Sequence, residues 1–544
     1  MKQINTGGMS FRDIRKEDRY YVDKSLLIKD ILDCDGRGVY LFTRPGRFGK
    51  TTNLSMLDAF FNMEYAGNNW FDDLEISEYP EYEEYKNKFP VIYLNLKDTK
   101  SSDFESFLSG MGEAVLDALK DHPDLLGSPV LMEDEKILFK ALFDGTAGRS
   151  KLKFSVKKIS DAMKRHYGKN VIILIDEYDR AVSDAFGTES HRPMMDFLGE
   201  FMCAALKNNG SLQMACVTGI MQIAEESIFS GLNNIWVDNI FSTESDERFG
   251  FTETEVKQIL TDYGHPEKFG EVKQWYDGYR FGNAEVYNPF SVMNYVSDGF
   301  TAKPYWVNSG GNWIIKNLLD RINDRNMARM MGIVSGSTVA VGLSDSLVYG
   351  DLNATDEILY SLMAMAGYLK AVPAEDKTYE VSLPNEEVRG EVEKLLRTRL
   401  PIDVTSFGKF SKAVSDGDAE IMERILKEIL PCASYMNLRD ENAYEMVVMT
   451  MLYSLISRYS VRTEREEGNG RTDILLTSKI SGNPNIIIEL KVADAEGKLD
   501  SSLDAAMCQI HERKYYLGMS GKVILTAMAF WGKVPKVRTE TVEV

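Results

Sequence analysis

Four runs of the chain are apolar at successive rather than alternate positions: "GVYLFT" (38–43), "PVIYLNL" (90–96), "NVIILIDEYD" (170–179) and "LQMACVTG" (212–219). A strand with one wet face alternates, whereas a strand covered by helices on both faces does not. The runs therefore predict a parallel sheet in an α/β unit over roughly residues 20–245. Beyond that point a helical period takes over. "FTETEV" has the Thr-x-x-Glu form of a helix N-terminal capping box, and the following two hundred or so residues read as mostly helical. The pattern turns mixed again near the end, with a helix in "NAYEMVVMTMLYSLISRY", strands "TDILLTS" and "NIIIELKVA" joined through "KISGNP", a helix in "DAAMCQIHERKYYLG" and a strand in "GKVILTAMAF". The expected organisation is an α/β core at 1–245, a helical lid at 246–310, a helical connector at 311–433 and a second α/β domain at 434–544. No internal repeat, heptad or low-complexity tract interrupts it.

Composition narrows the function classes. A length of 544 residues exceeds one ordinary core, and 44% hydrophobic with 27% charged residues is usual for a globular chain. No stretch reaches the ~18 apolar residues of a membrane span, and the opening "MKQINTGGMSFRDIRKEDRYY" has no apolar signal core, so a cytoplasmic protein without a membrane partner is expected. The five cysteines, Cys34, Cys203, Cys216, Cys432 and Cys508, are scattered and odd in number, which argues against a disulfide framework or a structural zinc site. The five histidines show no zinc-hydrolase spacing. The formal net charge of −20 repels polyanions. From Ser434 onward, however, 14 Lys and Arg stand against 15 Asp and Glu, so nucleic-acid chemistry is expected near the C-terminus.

The clearest chemistry lies in "YLFTRPGRFGKTTNLSML" (40–57), a strand running through a loop into a helix. Such a turn aims bare backbone amides and a helix dipole at an anion. The expected nucleotide-binding residues are Arg44, Pro45, Gly46, Arg47, Phe48, Gly49, Lys50, Thr51 and Thr52. Gly49 permits close backbone approach, Lys50 reaches the β and γ phosphates, and the Thr51 hydroxyl ligates magnesium. The pattern G-x-x-x-x-G-K-S/T asks for glycine where this chain has Arg44. The apolar run ending in Asp176 and Glu177 supplies the second half of the site, Asp176 for the magnesium shell and Glu177 as the catalytic acid that orients water. The cofactors expected are thus ATP and Mg²⁺. The bland alternatives are a functionless glycine-rich turn and a buried strand capped by surface acids.

Together "VDKSLLIKDI", "FTRPGRFGKTTNLSML", "VIILIDEYD", "TGIMQIAEESIFSGLNN", "WYDGYRFGNAEVYNPFSV" and "YWVNSGG" resemble the bacterial AAA-ATPase-like proteins that carry a C-terminal PD-(D/E)xK nuclease domain. The resemblance covers nearly the whole chain. It implies a P-loop NTPase fold with an AAA-like core, Walker A and Walker B segments, a helical lid and a restriction-endonuclease-like C-terminal domain. In that family a Thr-Arg-Pro opening is the usual start of the loop, which accounts for Arg44, and Thr218 takes the place of a sensor residue near the γ-phosphate. Two departures bear on turnover: Gln222 and Glu225 stand where basic residues commonly follow, and Gly46 where the loop often has a second arginine.

In "RTDILLTSKISGNPNIIIELKVAD", folding a hairpin about Ser481 and Gly482 places Asp473 nearly opposite Leu490 and gathers Asp473, Glu489 and Lys491 at one end. Two carboxylates with a lysine beside them can hold Mg²⁺ at Asp473 and Glu489 and leave a cation to steady charge on a scissile phosphate. A solvated strand edge is the competing reading of D-x15-E-x-K. Glu445, on the preceding helix, could supply a further acid, and Gln509 with Tyr515 matches the family's signature. Two readings stay open: an ATPase coupled to a magnesium-dependent nuclease acting on nucleic acid, or a regulatory or scaffold ATPase whose nuclease-like domain only binds. Oligomeric state is not legible.

Overall fold

The computed structural model describes the chain except residues 35, 37, 100–102, 186, 208, 223–234, 308–318, 320–321, 323, 335, 346–355, 399–403, 432–440, 453–454, 456–457 and 468–469. Two compact units are formed, one by residues 1–317 with 340–390 and the other by 318–339 with 391–544. Their boundaries run through the segment expected as a helical connector.

The first unit is built on a parallel sheet of β1 (Val39–Thr43), β2 (Val91–Asn95), β3 (Val171–Asp176), β4 (Leu212–Gly219) and β5 (Ile235–Asp238), in the order β2-β3-β4-β1-β5. All four apolar runs are strands. Every residue of β1 and β3 is buried, as strands covered on both faces require. Because β4 separates β1 from β3, the C-terminal ends of three strands lie side by side: Phe42 pairs with Thr218, and Ile175 with Val217. An open parallel sheet binds ligands at that edge.

The capping box forms as the pattern predicted, with the Glu255 amide donating to Thr252 Oγ1 and the Thr252 amide to a Glu255 carboxylate oxygen. The same Glu255 accepts from the buried Lys24 at 2.6 Å. Residues 245–390 are not uniformly helical, however. Tyr279–Phe281 and Ala284–Val286 form a hairpin, and Lys370–Pro373 pairs with Tyr379–Ser382. These strands are three or four residues long, too short for a period of two to stand out.

The second unit carries a sheet of β6 (Tyr459–Glu467), β7 (Gly470–Ser478), β8 (Asn485–Val492), β9 (Lys522–Trp531) and β10 (Val534–Glu543), hydrogen-bonded in chain order. All pairs are antiparallel except β8 with β9. Ile474, Ile486, Ile488 and Leu490 face a core shared with helices Ala419–Ile429 and Glu441–Leu452. Leu475, Ile487, Leu525 and Ala527 face a second core completed by helix Leu499–Arg513. Of these strands, β7, β8 and β9 are legible in the apolar pattern. The edge strand β10, "VPKVRTETVE", is largely polar because one side of it has no neighbour.

Candidate nucleotide and carboxylate sites

Where β1 ends, the Arg44 amide donates to Gly219 O of β4 at 3.1 Å, and the chain turns through the loop into helix Lys50–Phe61. Gly49, at the helix N-cap, has φ +86°, a left-handed conformation that costs glycine nothing. Arg44 lies fully buried. Its guanidinium pairs with Asp238 at 2.7 Å, donates to the carbonyls of Thr43 and Asp238, and stacks between the rings of Phe249 and Phe281. The arginine in the glycine's place therefore anchors β1 to β5, while its carbonyl remains part of the loop. Phe48 packs edge-on against Tyr279 and Phe281, so the aromatic residues of "WYDGYRFG" have core roles. Arg47, at the exposed tip, lies over the Phe290 ring with φ +67°.

Lys50 Nζ donates to the carbonyls of Arg44 and Pro45, each at 2.8 Å. Burial lowers its pKa, while Glu177, Asp179 and Asp176 oppose the shift. Thr51 Oγ1 donates to one oxygen of Asp176 at 2.7 Å, and Thr218 Oγ1 donates to the other at 2.5 Å. Burial raises the Asp176 carboxyl above its usual range, and the two hydroxyls restrain it. Glu177 follows in a left-handed conformation, φ +52°, uncommon outside glycine. Its amide approaches Thr218 Oγ1 at 3.4 Å. Lys50, Thr51, Asp176, Glu177 and Thr218 are thus brought together. Hydroxyl and carboxylate oxygens of Thr51 and Asp176 form a hard donor set that suits magnesium.

Asp179 was not singled out by the sequence pattern, although it closes the same "DEYD" run. It is buried, accepts from the amides of Ile220 and Met221, and burial pushes it up to about 6. Gly219 is obligatory beside it, since a Cβ there would fall 2.6 Å from the Tyr178 ring. Gln222 is half-buried at the end of this segment, and Glu225 lies outside the described residues.

In the second unit, the register Ile474 with Ile488 places Asp473 beside Glu489, one residue from the position expected. The Asp473 carboxylate accepts from the Leu490 amide at 2.7 Å, which locks the two strands at the site. Glu489 is 0% exposed, and its Oε1 accepts from Lys491 Nζ at 3.3 Å and from Gln509 Nε2. Its Oε2 is buried with no hydrogen-bond partner among the described residues. Burial, reinforced by the Asp473 charge, pushes Glu489 up to about 8. Burial opposes charge on Lys491, but Glu489, Glu441 and Asp473 together hold its pKa above the ordinary value. Gln509 also reaches Tyr515 Oη at 3.0 Å, because Lys514 turns left-handed directly after the helix. Glu445 is half-buried on helix Glu441–Leu452. One turn earlier on the same helix, Glu441 approaches Lys491 Nζ at 3.7 Å. An orphaned carboxylate oxygen beside a second carboxylate fits a divalent cation, although no group of three or more His, Cys, Asp or Glu side chains gathers among the described residues. Nor is any described helix long and apolar enough to cross a membrane.

The description of the predicted AAA-ATPase family matches residues 5–229, and that of the PD-(D/E)XK nuclease superfamily matches residues 439–538. An uncharacterized protein in the vnfD 5' region of Azotobacter chroococcum is 26% identical over 415 residues, covering 73% of this chain and 70% of its own. Among solved structures, similarity is found to a signal transduction ATPase with numerous domains and a tetratricopeptide repeat sensor from Pyrococcus horikoshii. It has a TM-score of 0.23 at 13% identity, over 80% of this chain and 57% of that protein. A DNA replication initiation factor gives a TM-score of 0.25 at 10% identity, over 81% of this chain and 96% of that one. Over residues 5–229 the chain is thus similar to the predicted AAA-ATPase family, and over residues 439–538 to the PD-(D/E)XK nuclease superfamily.

Proposed function

We propose that the first unit binds ATP with magnesium and hydrolyses it, and that the second cleaves nucleic acid in a magnesium-dependent reaction governed by the nucleotide state. The observation that carries the nuclease half is the buried Oε2 of Glu489, beside Asp473 and without a hydrogen-bond partner among the described residues, an acidic site that a cation would complete. Thr51 and Asp176 would hold the metal in one site, and Asp473 and Glu489 in the other. When bound, it supplies charge neutralisation at the phosphates.

The remaining chemistry belongs to the chain. Lys50 exchanges the carbonyls of Arg44 and Pro45 for phosphate oxygens. Glu177 orients the water that attacks the γ-phosphorus, and Thr218 keeps Asp176 in place. In the second unit Lys491 faces charge developing on the scissile phosphate, and Gln509 fixes the Glu489 carboxylate. A cytoplasmic location suits both reactions. The test is cleavage of single- and double-stranded DNA and RNA by the full chain, with and without magnesium and ATP, alongside phosphate release. Cleavage that requires the metal and responds to ATP is expected. A full chain that hydrolyses ATP yet neither binds nor cuts any of these substrates would favour the regulatory ATPase reading instead.

A further inference from the structure

The outer side of the phosphate loop is closed by residues that lie far beyond the matched ATPase segment. Trp306 is buried, and its indole Nε1 donates to the Gly46 carbonyl at 2.9 Å. The ring sits against Tyr368 and Tyr279. Beside it Gly367, at φ +88°, passes so close to the loop that a Cβ would lie 2.8 Å from Pro45 Cβ. Trp306 is itself held from behind. Its backbone amide donates to Glu387 at 2.6 Å, and the other Glu387 oxygen accepts from Ser291 Oγ at 2.7 Å. The amides of Tyr305 and Val307 also turn toward this carboxylate. Glu387 is 1% exposed, and neither the ATP-site chemistry nor the carboxylate edge uses it.

The Gly46 carbonyl and the Arg47 amide belong to one planar trans peptide, so they point in opposite directions. An indole that draws the carbonyl outward necessarily turns the Arg47 amide inward. Arg47 is left-handed, a conformation in which a free loop would spend little time without such a restraint. We propose that Trp306 and Glu387 are positioning residues for nucleotide binding: Glu387 fixes the Tyr305–Val307 turn, and Trp306 orients the Gly46–Arg47 peptide so that its amide faces the phosphates. The inference rests on the nucleotide reading of the loop. It adds that the phosphate site is completed only by residues 305–307 and 387.

The experiment uses the full chain with magnesium and ADP or a non-hydrolysable ATP analogue. Affinity is measured by calorimetry and tryptophan emission is followed through the titration, for wild type, Trp306→Phe, Glu387→Ala and Glu387→Gln. The wild type should show a nucleotide-dependent emission change that Trp306→Phe removes. Trp306→Phe and Glu387→Ala should each weaken binding by ~10-fold, the worth of one buried hydrogen bond. Glu387→Gln keeps an oxygen for the Trp306 amide and should restore most of the affinity, which a general loss of packing would not allow. Should Glu387→Ala fail to fold, Trp306→Phe carries the test alone, because phenylalanine retains the aromatic packing and loses only the donor. Wild-type affinity in Trp306→Phe, with its emission change intact, overturns this inference and leaves the nucleotide site standing. A wild type that binds neither nucleotide overturns the nucleotide reading and this inference with it.

Discussion

Asp176 and Glu489 are both buried carboxylates near the C-terminal ends of strands covered by helices, and they are satisfied in opposite ways. Each Asp176 oxygen receives a hydroxyl, from Thr51 and from Thr218. Glu489 receives Lys491 and Gln509 on one oxygen and, among the described residues, nothing on the other. The first site is complete before any ligand arrives, so a ligand must displace existing bonds, as at Lys50. The second holds an unmet electrostatic demand that only a proton or a cation can meet. A preorganised loop and an unsatisfied acid pair are different routes to binding charged substrates, and they should respond differently to substitution.

The largest effects are expected at the unsatisfied site. Asp473→Ala and Glu489→Ala should abolish nucleic-acid cleavage together with Mn²⁺ binding. Lys491→Ala should bind the metal and still lose ~100-fold or more in rate, because it removes charge stabilisation alone. ATP affinity should not change in any of the three. Cleavage at wild-type rate by Lys491→Ala would remove it from the chemistry. At the preorganised site, Glu177→Gln should bind ATP normally and hydrolyse it ~10²–10⁴-fold more slowly, as loss of a water-orienting acid does. Single-turnover assays separate the two steps.

Lys50→Ala comes next. It deletes charge-assisted bonds worth about 1.5–3 kcal/mol, so ATP affinity should fall by ~10–100-fold in calorimetric titration. A smaller effect is thermodynamic. Glu489 titrates near 8 in the folded unit against an ordinary value of 4.5, so the folded state holds its proton more tightly than the unfolded chain does. Metal-free stability should therefore be highest below that ordinary value and fall as pH rises toward 8. Glu489→Gln should be more stable than wild type at pH 8, by roughly 4 kcal/mol, and by less than about 1 kcal/mol at pH 5. Denaturant midpoints at the two pH values decide the matter, and added Mg²⁺ should narrow the gap. Least affected should be His511→Ala. Its exposed contact with Glu540 at 2.8 Å is worth less than ~1 kcal/mol, within reach of a thermal-melt comparison.

Much of this was legible in order along the chain, because its cause is local. Uninterrupted apolar runs specify doubly covered strands. Thr252 and Glu255 lie three residues apart, so their capping box needs only one helical turn. Glu489 and Lys491 lie two apart on one strand, so a period of two already placed them on a common face, and the hairpin brought Asp473 to the same end; the register that sets Asp473 beside Glu489 came from the structure. What escaped was whatever depends on partners distant in sequence. The sequence does not say what Arg44 does until Asp238, Phe249 and Phe281 close around it. Glu441 was not singled out, and only the packing of its helix against the sheet brings it to Lys491. Trp306 and Glu387 gain their meaning from Gly46, some 260 residues away in the case of the indole.

The amino-acid sequence alone determined which segments became buried strands, where the anion-binding turn lies and which carboxylates share an edge, since each follows from spacing within a few residues. The tertiary structure alone decided which of those charges are satisfied and which are left wanting. Burial and hydrogen bonding are properties of everything that packs around a group, and here the packing gave Asp176 two hydroxyls and left one Glu489 oxygen without a partner among the described residues.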